Sequence, residues 1–137
     1  MTFTVEGSQQ GKRRPRFTTV NGYARAYEHD NDALYENQIK LTFQSARPND
    51  YDLYEKALSV RITALFDIPK AFSKVKAQRA LRGEIRPVKK PDSDNIAKVV
   101  CDALNGIAYK DDTQIVELIV IKAYALRPAV VVTIEEA

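Results

Sequence analysis

Tryptophan is absent, and cysteine, methionine and histidine occur once each. With Cys101 alone there is no intrachain disulfide and no thiolate zinc site. His29 stands in a polar stretch and supplies no base for Ser/His/Asp or Cys/His chemistry, so Cys101 reads as a small packing residue. No apolar run approaches the roughly 20 residues needed to span a bilayer. The opening MTFTVEGSQQGKRR is too polar for a secretion signal. No P-loop, GxGxxG, HExxH or zinc-finger spacing occurs. Asp92-Ser93-Asp94-Asn95-Ile96 opens like a calcium loop, but Ile96 stands where an oxygen ligand is needed. The expected compartment is the cytoplasm, with no membrane partner.

What is present is an ordinary globular balance. The 137 residues are 45% hydrophobic and 28% charged, which suits one domain over 1–137 with enough apolar surface for a core. A chain this short buries a modest share of its surface, so a homodimer fits. The net charge is only +3, but it is unevenly spread. Lys12, Arg13, Arg14 and Arg16 cluster near the start. A second basic stretch holds Lys70, Lys74, Lys76, Arg79, Arg82, Arg86, Lys89 and Lys90. Such clusters suit a polyanion such as nucleic acid. Charge alone is equally compatible with solvated loop and helix faces.

Periodicity predicts a mixed β-sheet with helices packed on it, α/β (α+β) in class. Strands are expected at Phe3–Val5 and in a pair over Phe17–Ala26 around the Asn21-Gly22 turn. A helix follows over Asn31–Ser45, with Tyr35, Ile39 and Phe43 on one face and Pro48 beyond it. Ala57–Phe66 alternates Leu58, Val60, Ile62, Ala64 and Phe66, a strand pattern. Pro69–Leu81 reads as a basic helix that Gly83 ends, and Asp94–Leu104 as a helix that Asn105-Gly106 ends. Gln114–Tyr124 and Ala129–Ile134 are expected to form a C-terminal antiparallel hairpin across Leu126–Pro128.

The chemistry lies between Lys89 and Ile115. On a wheel at about 100° per residue, Ile96, Val99, Val100, Ala103 and Leu104 form one apolar arc. Asp94, Lys98 and Asp102 recur at i, i+4 and i+8 on a different stripe, with Asp92 just before the helix. Asp111 and Asp112 stand at the mouth of the following strand. Crowded carboxylates repel one another, and a divalent cation relieves that repulsion. Mg²⁺ takes a few carboxylates together with waters and phosphate oxygens. A cation so held polarises a phosphodiester and promotes ionisation of an attacking water. A lysine one turn away steadies the charge that develops. Taken singly, each residue has a plainer role. Asp92 or Asp94 could cap the helix, Lys98 could pair with Asp94 and Asp102, and Asp111-Asp112 could be turn residues. Tyr109 could pack, cap the turn or stack on a base.

At these positions the chain resembles the RusA family of Holliday junction resolvases, known from phages and prophages. The carrying residues are Lys90-Pro91-Asp92-Ser93-Asp94-Asn95, Lys98, Asp102-Ala103-Leu104-Asn105-Gly106 and Tyr109-Lys110-Asp111-Asp112-Thr113-Gln114-Ile115. The resemblance extends more weakly over much of the chain. It implies a small homodimeric enzyme of the bacterial or phage-infected cell, cutting four-way DNA junctions with paired symmetric incisions and using Mg²⁺ or Mn²⁺. It places catalytic and metal-ligating aspartates at Asp92, Asp94 and Asp112 and the essential lysine at Lys98. Asp111 is expected to be an additional ligand, and Asp102 is an acidic position of less defined role. DNA backbones would be held by Lys12, Arg13, Arg14, Arg16, Lys74, Lys76, Arg79, Lys89 and Lys90. Two other readings stay open at this point: a nuclease of flaps or forks using the same ligands, and a non-catalytic junction-binding protein.

Overall fold

A computed structural model describes the backbone of residues 1–10, 16–20, 23–27 and 30–137, and side-chain surroundings for 1–10 and 33–137. Lys12, Arg13, Arg14, the Asn21-Gly22 turn and His29 lie outside the described residues. The element order is β1 (Thr2–Glu6), β2 (Arg16–Val20), β3 (Tyr23–Tyr27), α1 (Asp30–Ala46), β4 (Leu58–Asp67), α2 (Lys74–Leu81), α3 (Ser93–Leu104), a short 3₁₀ turn (Asp112–Gln114), β5 (Ile115–Ala125) and β6 (Ala129–Glu136). Arg16 is the first residue of β2, which pairs with β3 as an antiparallel ribbon.

The other four strands form one mixed sheet in the order β1-β6-β4-β5. The sequence dictates why β4 is central. Leu58, Val60, Ile62, Ala64 and Phe66, at alternate positions, are each at most 2% exposed, and one face of the strand is therefore fully apolar. Onto it pack Tyr35, Ile39 and Phe43 of α1 and Ile96, Val99, Val100, Ala103 and Leu104 of α3. Each Val, Leu, Ile or Phe side chain so taken from water contributes about 1.5–3 kcal/mol. The opposite face of the sheet carries Ser59, Arg61 and Thr63 from β4, none of them buried. The helices therefore cover one face only.

β4 pairs parallel with β5 and antiparallel with β6. A parallel pair needs a long crossover, and residues 68–114, carrying α2 and α3, supply it. The mixed α/β class is as expected. The C-terminal hairpin is not, because β4 lies between β5 and β6. The three residues Leu126–Pro128 pass over the end of β4, where Asp67 faces Ala125 and Leu65 faces Ala129. Hydrophobic periodicity identifies two strands joined by a short turn. It does not say that a third strand inserts between them.

Two further boundaries differ. The basic helix begins at Lys74 rather than Pro69, because Ser73 takes the N-cap position and its side chain accepts from the Lys76 amide at 3.2 Å. Residues 69–72 instead make a turn closed by the Phe72 amide on the Pro69 carbonyl. The buried arc of α3 is wider than the wheel suggests, since Ala97 and Cys101 are buried too.

Candidate active site

α3 starts where its backbone allows. Asp92 is extended (φ −67, ψ 155), and its carbonyl accepts from the Ile96 amide at 3.0 Å, which closes the first turn. Its carboxylate makes no capping bond, so the plain capping role is not realised there. The helix ends at Asn105, and Gly106 follows at φ 77, a left-handed position that glycine takes without strain. Along the helix, the 3.6-residue repeat brings Asp94, Lys98 and Asp102 to the wall of one cleft of about 490 Å³. Ala97 and Cys101 also line it, and Asp112 and the first residues of β5 form the facing side.

The segment carrying Asp112 is fixed from three directions. Tyr109, 1% exposed, donates its hydroxyl to the Cys101 carbonyl at 2.6 Å. The Ala108 carbonyl accepts from the Tyr54 amide at 3.1 Å and from the Tyr51 hydroxyl at 2.6 Å. The Gln114 side chain accepts from the Asp111 amide at 2.9 Å and donates to the carbonyls of Tyr54 and Lys56 at 2.9 and 3.0 Å. Asp112 is thus held at the end of a braced turn, and the arrangement with Asp94, Lys98 and Asp102 is set by the fold before any substrate arrives.

Electrostatics mark the same place. The hydrogen bond shared with Asp111, then partial loss of water, then the charges of Asp111 and Asp102, hold the Asp112 carboxyl above the ordinary carboxylate range. The bond from Asp112 holds Asp111 below it. Burial pushes the Cys101 thiol up to about 11, so it stays protonated and unreactive at neutral pH, as a packing residue should.

The structure therefore brings together Asp94, Lys98, Asp102 and Asp112. Asp92 and Asp111 flank the cleft as the residues before α3 and before the 3₁₀ turn, and neither lines it. No ion pair engages Lys98 among the described residues, so its ammonium is available to the cleft. Glu117 also borders the cleft, but Ser59 Oγ donates to its carboxylate at 3.1 Å from the helix-free face of the sheet. Among the described residues no three carboxylate, histidine or cysteine groups are close enough together to enclose an ion. Of the residues present, Asp94 and Asp112 at the cleft are of the kind that could hold Mg²⁺, which keeps several waters and uses one or two carboxylates plus phosphate oxygens.

Of the expected DNA contacts, Lys74 and Lys76 are exposed on α2, and Lys89 and Lys90 are exposed in the segment leading to α3. Arg79 is on α2 as well, but it is engaged by Glu84 at 3.1 Å. Lys122 is a cation that the two basic clusters of the sequence do not include. Its signal was a lone cation in the middle of the apolar strand IVELIVIKAYA.

Comparison with known proteins agrees with the motif. A family described as Endodeoxyribonuclease RusA matches residues 6–135. The chain is also 34% identical over 134 residues to the uncharacterized protein YqaN of Bacillus subtilis (strain 168), covering 98% of this chain and 94% of that protein. No helix among the described residues is long and apolar enough to cross a membrane.

Proposed function

The chain belongs to the RusA endodeoxyribonuclease family, and from that premise we propose that it resolves four-way DNA junctions by metal-dependent, paired and symmetric phosphodiester hydrolysis. In this reading it acts as one domain per subunit of a homodimer, in the cytoplasm of a bacterial or phage-infected cell, with a role in recombination and repair. Two sites related by a twofold axis suit a junction with two equivalent strands to cut. The observation that carries the reading is the convergence of Asp94, Lys98, Asp102 and Asp112 on one cleft.

Asp94 and Asp112 at the cleft would hold Mg²⁺ or Mn²⁺ together with waters and phosphate oxygens, and Asp92 and Asp111, which flank the cleft, would act on the ion through its waters. When bound, the cation would polarise the scissile phosphodiester and favour ionisation of the attacking water. Asp112, kept above the ordinary range by Asp111, gains from a cation because the cation relieves the repulsion between the two carboxylates and Asp102. Lys98 would place a positive charge where the phosphoryl oxygens gain negative charge, and no ion pair among the described residues dilutes it. The braced turn at Tyr109 and Gln114 keeps Asp112 in position while the strand enters. A protein that only binds DNA gains nothing from aspartates that repel phosphate, and this favours cleavage over binding alone.

The test is cleavage of a synthetic four-way junction by the purified protein with Mg²⁺, alongside flap, fork and linear duplex substrates. Paired nicks in the junction, lost on addition of EDTA and in Asp94→Asn and Asp112→Asn, are the expected result. Undiminished cleavage by either variant would sink the site assignment. Preferential cutting of flaps or forks would sink the junction reading.

A further inference from the structure

Lys122 is out of place for an outer strand with an apolar inner face. In the parallel register it stands opposite Ala64, and Val120 and Tyr124 stand opposite Ile62 and Phe66. Directly paired residues share a face, so Lys122 lies on the helix-covered side of the sheet, in line with Leu118 at the cleft. Its ammonium donates to the Lys89 carbonyl and sits 5.1 Å from the centroid of the Phe66 ring. The Lys89 ammonium sits 5.7 Å from the same centroid. Phe66 itself is 2% exposed, so two cations stand within reach of one covered aromatic ring.

Two like charges beside one ring repel each other, and the ring quadrupole offsets only part of that. None of the ion pairs among the described residues involves Lys89 or Lys122. The two lysines therefore carry positive charge that no carboxylate neutralises among the described residues. Lys122 lies on the same strand face as the cleft, roughly 13 Å along β5 from Leu118 by strand rise. A nucleic-acid strand lying in the cleft presents phosphates at intervals short enough to reach it.

We propose that Lys122 and Lys89 form a seat for a DNA backbone phosphate, a few nucleotides from the one cut, with Phe66 as its floor. The proposal rests on the DNA-cutting reading above. Lys122 is the anchored member, since its bond to the Lys89 carbonyl fixes the ammonium before DNA binds. The seat sets the register of the strand, so that the scissile phosphate falls between Lys98 and the aspartates.

Anisotropy of a labelled four-way junction tests it, measured in EDTA across about 50 to about 200 mM salt. The parent protein is compared with Lys122→Gln, Lys122→Arg and Lys89→Gln, each shown by circular dichroism to be folded. Lys122→Gln should bind several-fold more weakly at low salt and lower the slope of log affinity against log salt by about one, with Lys89→Gln changed in the same direction. Lys122→Arg should keep the parent slope. Parent-like affinity and slope in Lys122→Gln would overturn the seat. The lysine would then only guard an outer strand against pairing, a known use of inward-pointing charge. If Lys122→Gln fails to fold, Lys89→Gln decides, because its anchoring carbonyl is unaltered. A parent protein that does not bind the junction at all would instead sink the DNA-cutting reading, and the seat with it.

Discussion

Tyr109 donates its hydroxyl to the Cys101 carbonyl at 2.6 Å, joining the turn before Asp112 to the last turn of α3, where Asp102 stands. The bond is needed because the Asn105 amide turns to the Asp102 carbonyl at 3.4 Å. Without Tyr109 the Cys101 carbonyl would lack a partner at the helix end. Burial pushes the Tyr109 hydroxyl far above its usual range, so it remains a donor at any physiological pH.

Tyr109→Phe should accordingly cost about 1–3 kcal/mol, the penalty of leaving a buried carbonyl unsatisfied. For a chain of this size that lowers the melting temperature by roughly 3–10 °C. Thermal unfolding followed by far-UV circular dichroism reads it directly. An unchanged melting temperature would show that water replaces the hydroxyl and that the turn is not braced through this bond.

Alkaline pH should unfold the protein earlier than its carboxylates would suggest. Burial raises Tyr51 and Tyr35 from 10.0 to about 12, and Cys101 from 9.0 to about 11. Each group is held protonated in the fold, while the unfolded chain ionises at the ordinary value. The stabilising contribution is therefore complete below the unfolded value and is lost as pH rises toward the folded one. Urea midpoints should be level up to pH about 9 and fall from there to about 12. A midpoint that stays constant to pH about 11 would contradict the burial of these groups.

The site was more legible than the sheet. Asp94, Lys98 and Asp102 are read from helical spacing because a helix face depends only on its own residues, and Asp112 follows from the strand start. Leu58 to Phe66 likewise announce a strand by alternation. Strand partners depend on contacts between distant residues, and nothing local in β5 or β6 reveals that β4 separates them. Lys122 was missed for the same reason. Its meaning comes from Phe66 and Lys89, far away in sequence and adjacent only once β4 and β5 pair. The helix start at Lys74 was readable from Ser73, but the basic run obscured it.

The strand order makes its own prediction. Nuclear Overhauser contacts should link Val60 to Leu118 on one side and to Ile134 on the other, with none between β5 and β6. In hydrogen exchange, β4 amides should be protected along the strand, since both neighbours pair with it. Among the described residues β5 has an unpaired side, and about half of its amides should exchange faster by that route. Uniform protection of β5 would mean that a further strand, from this chain or a second copy, covers its edge.

Glu84 offers a test of the basic helix that does not require removing a cation. Its carboxylate accepts from Arg79 Nε at 3.1 Å and lies 3.6 Å from Arg82 Nη2, all three side chains being about half exposed. Exposed pairs of this kind contribute little to stability, about 0–1 kcal/mol. Glu84→Gln should therefore leave the melting temperature almost unchanged while freeing two guanidinium groups. If α2 faces DNA, the variant should bind the four-way junction more tightly than the parent and show a steeper salt dependence. Lys76→Ala should do the reverse, since its ammonium, 4.3 Å from the Phe72 ring centroid, has no carboxylate to restrain it among the described residues. Arg79→Ala should weaken binding less than Lys76→Ala, because Glu84 already draws on part of that charge. Equal affinity in all four proteins would place α2 away from the DNA, and leave the binding charge to the segment leading into α3 and to Lys12, Arg13, Arg14 and Arg16.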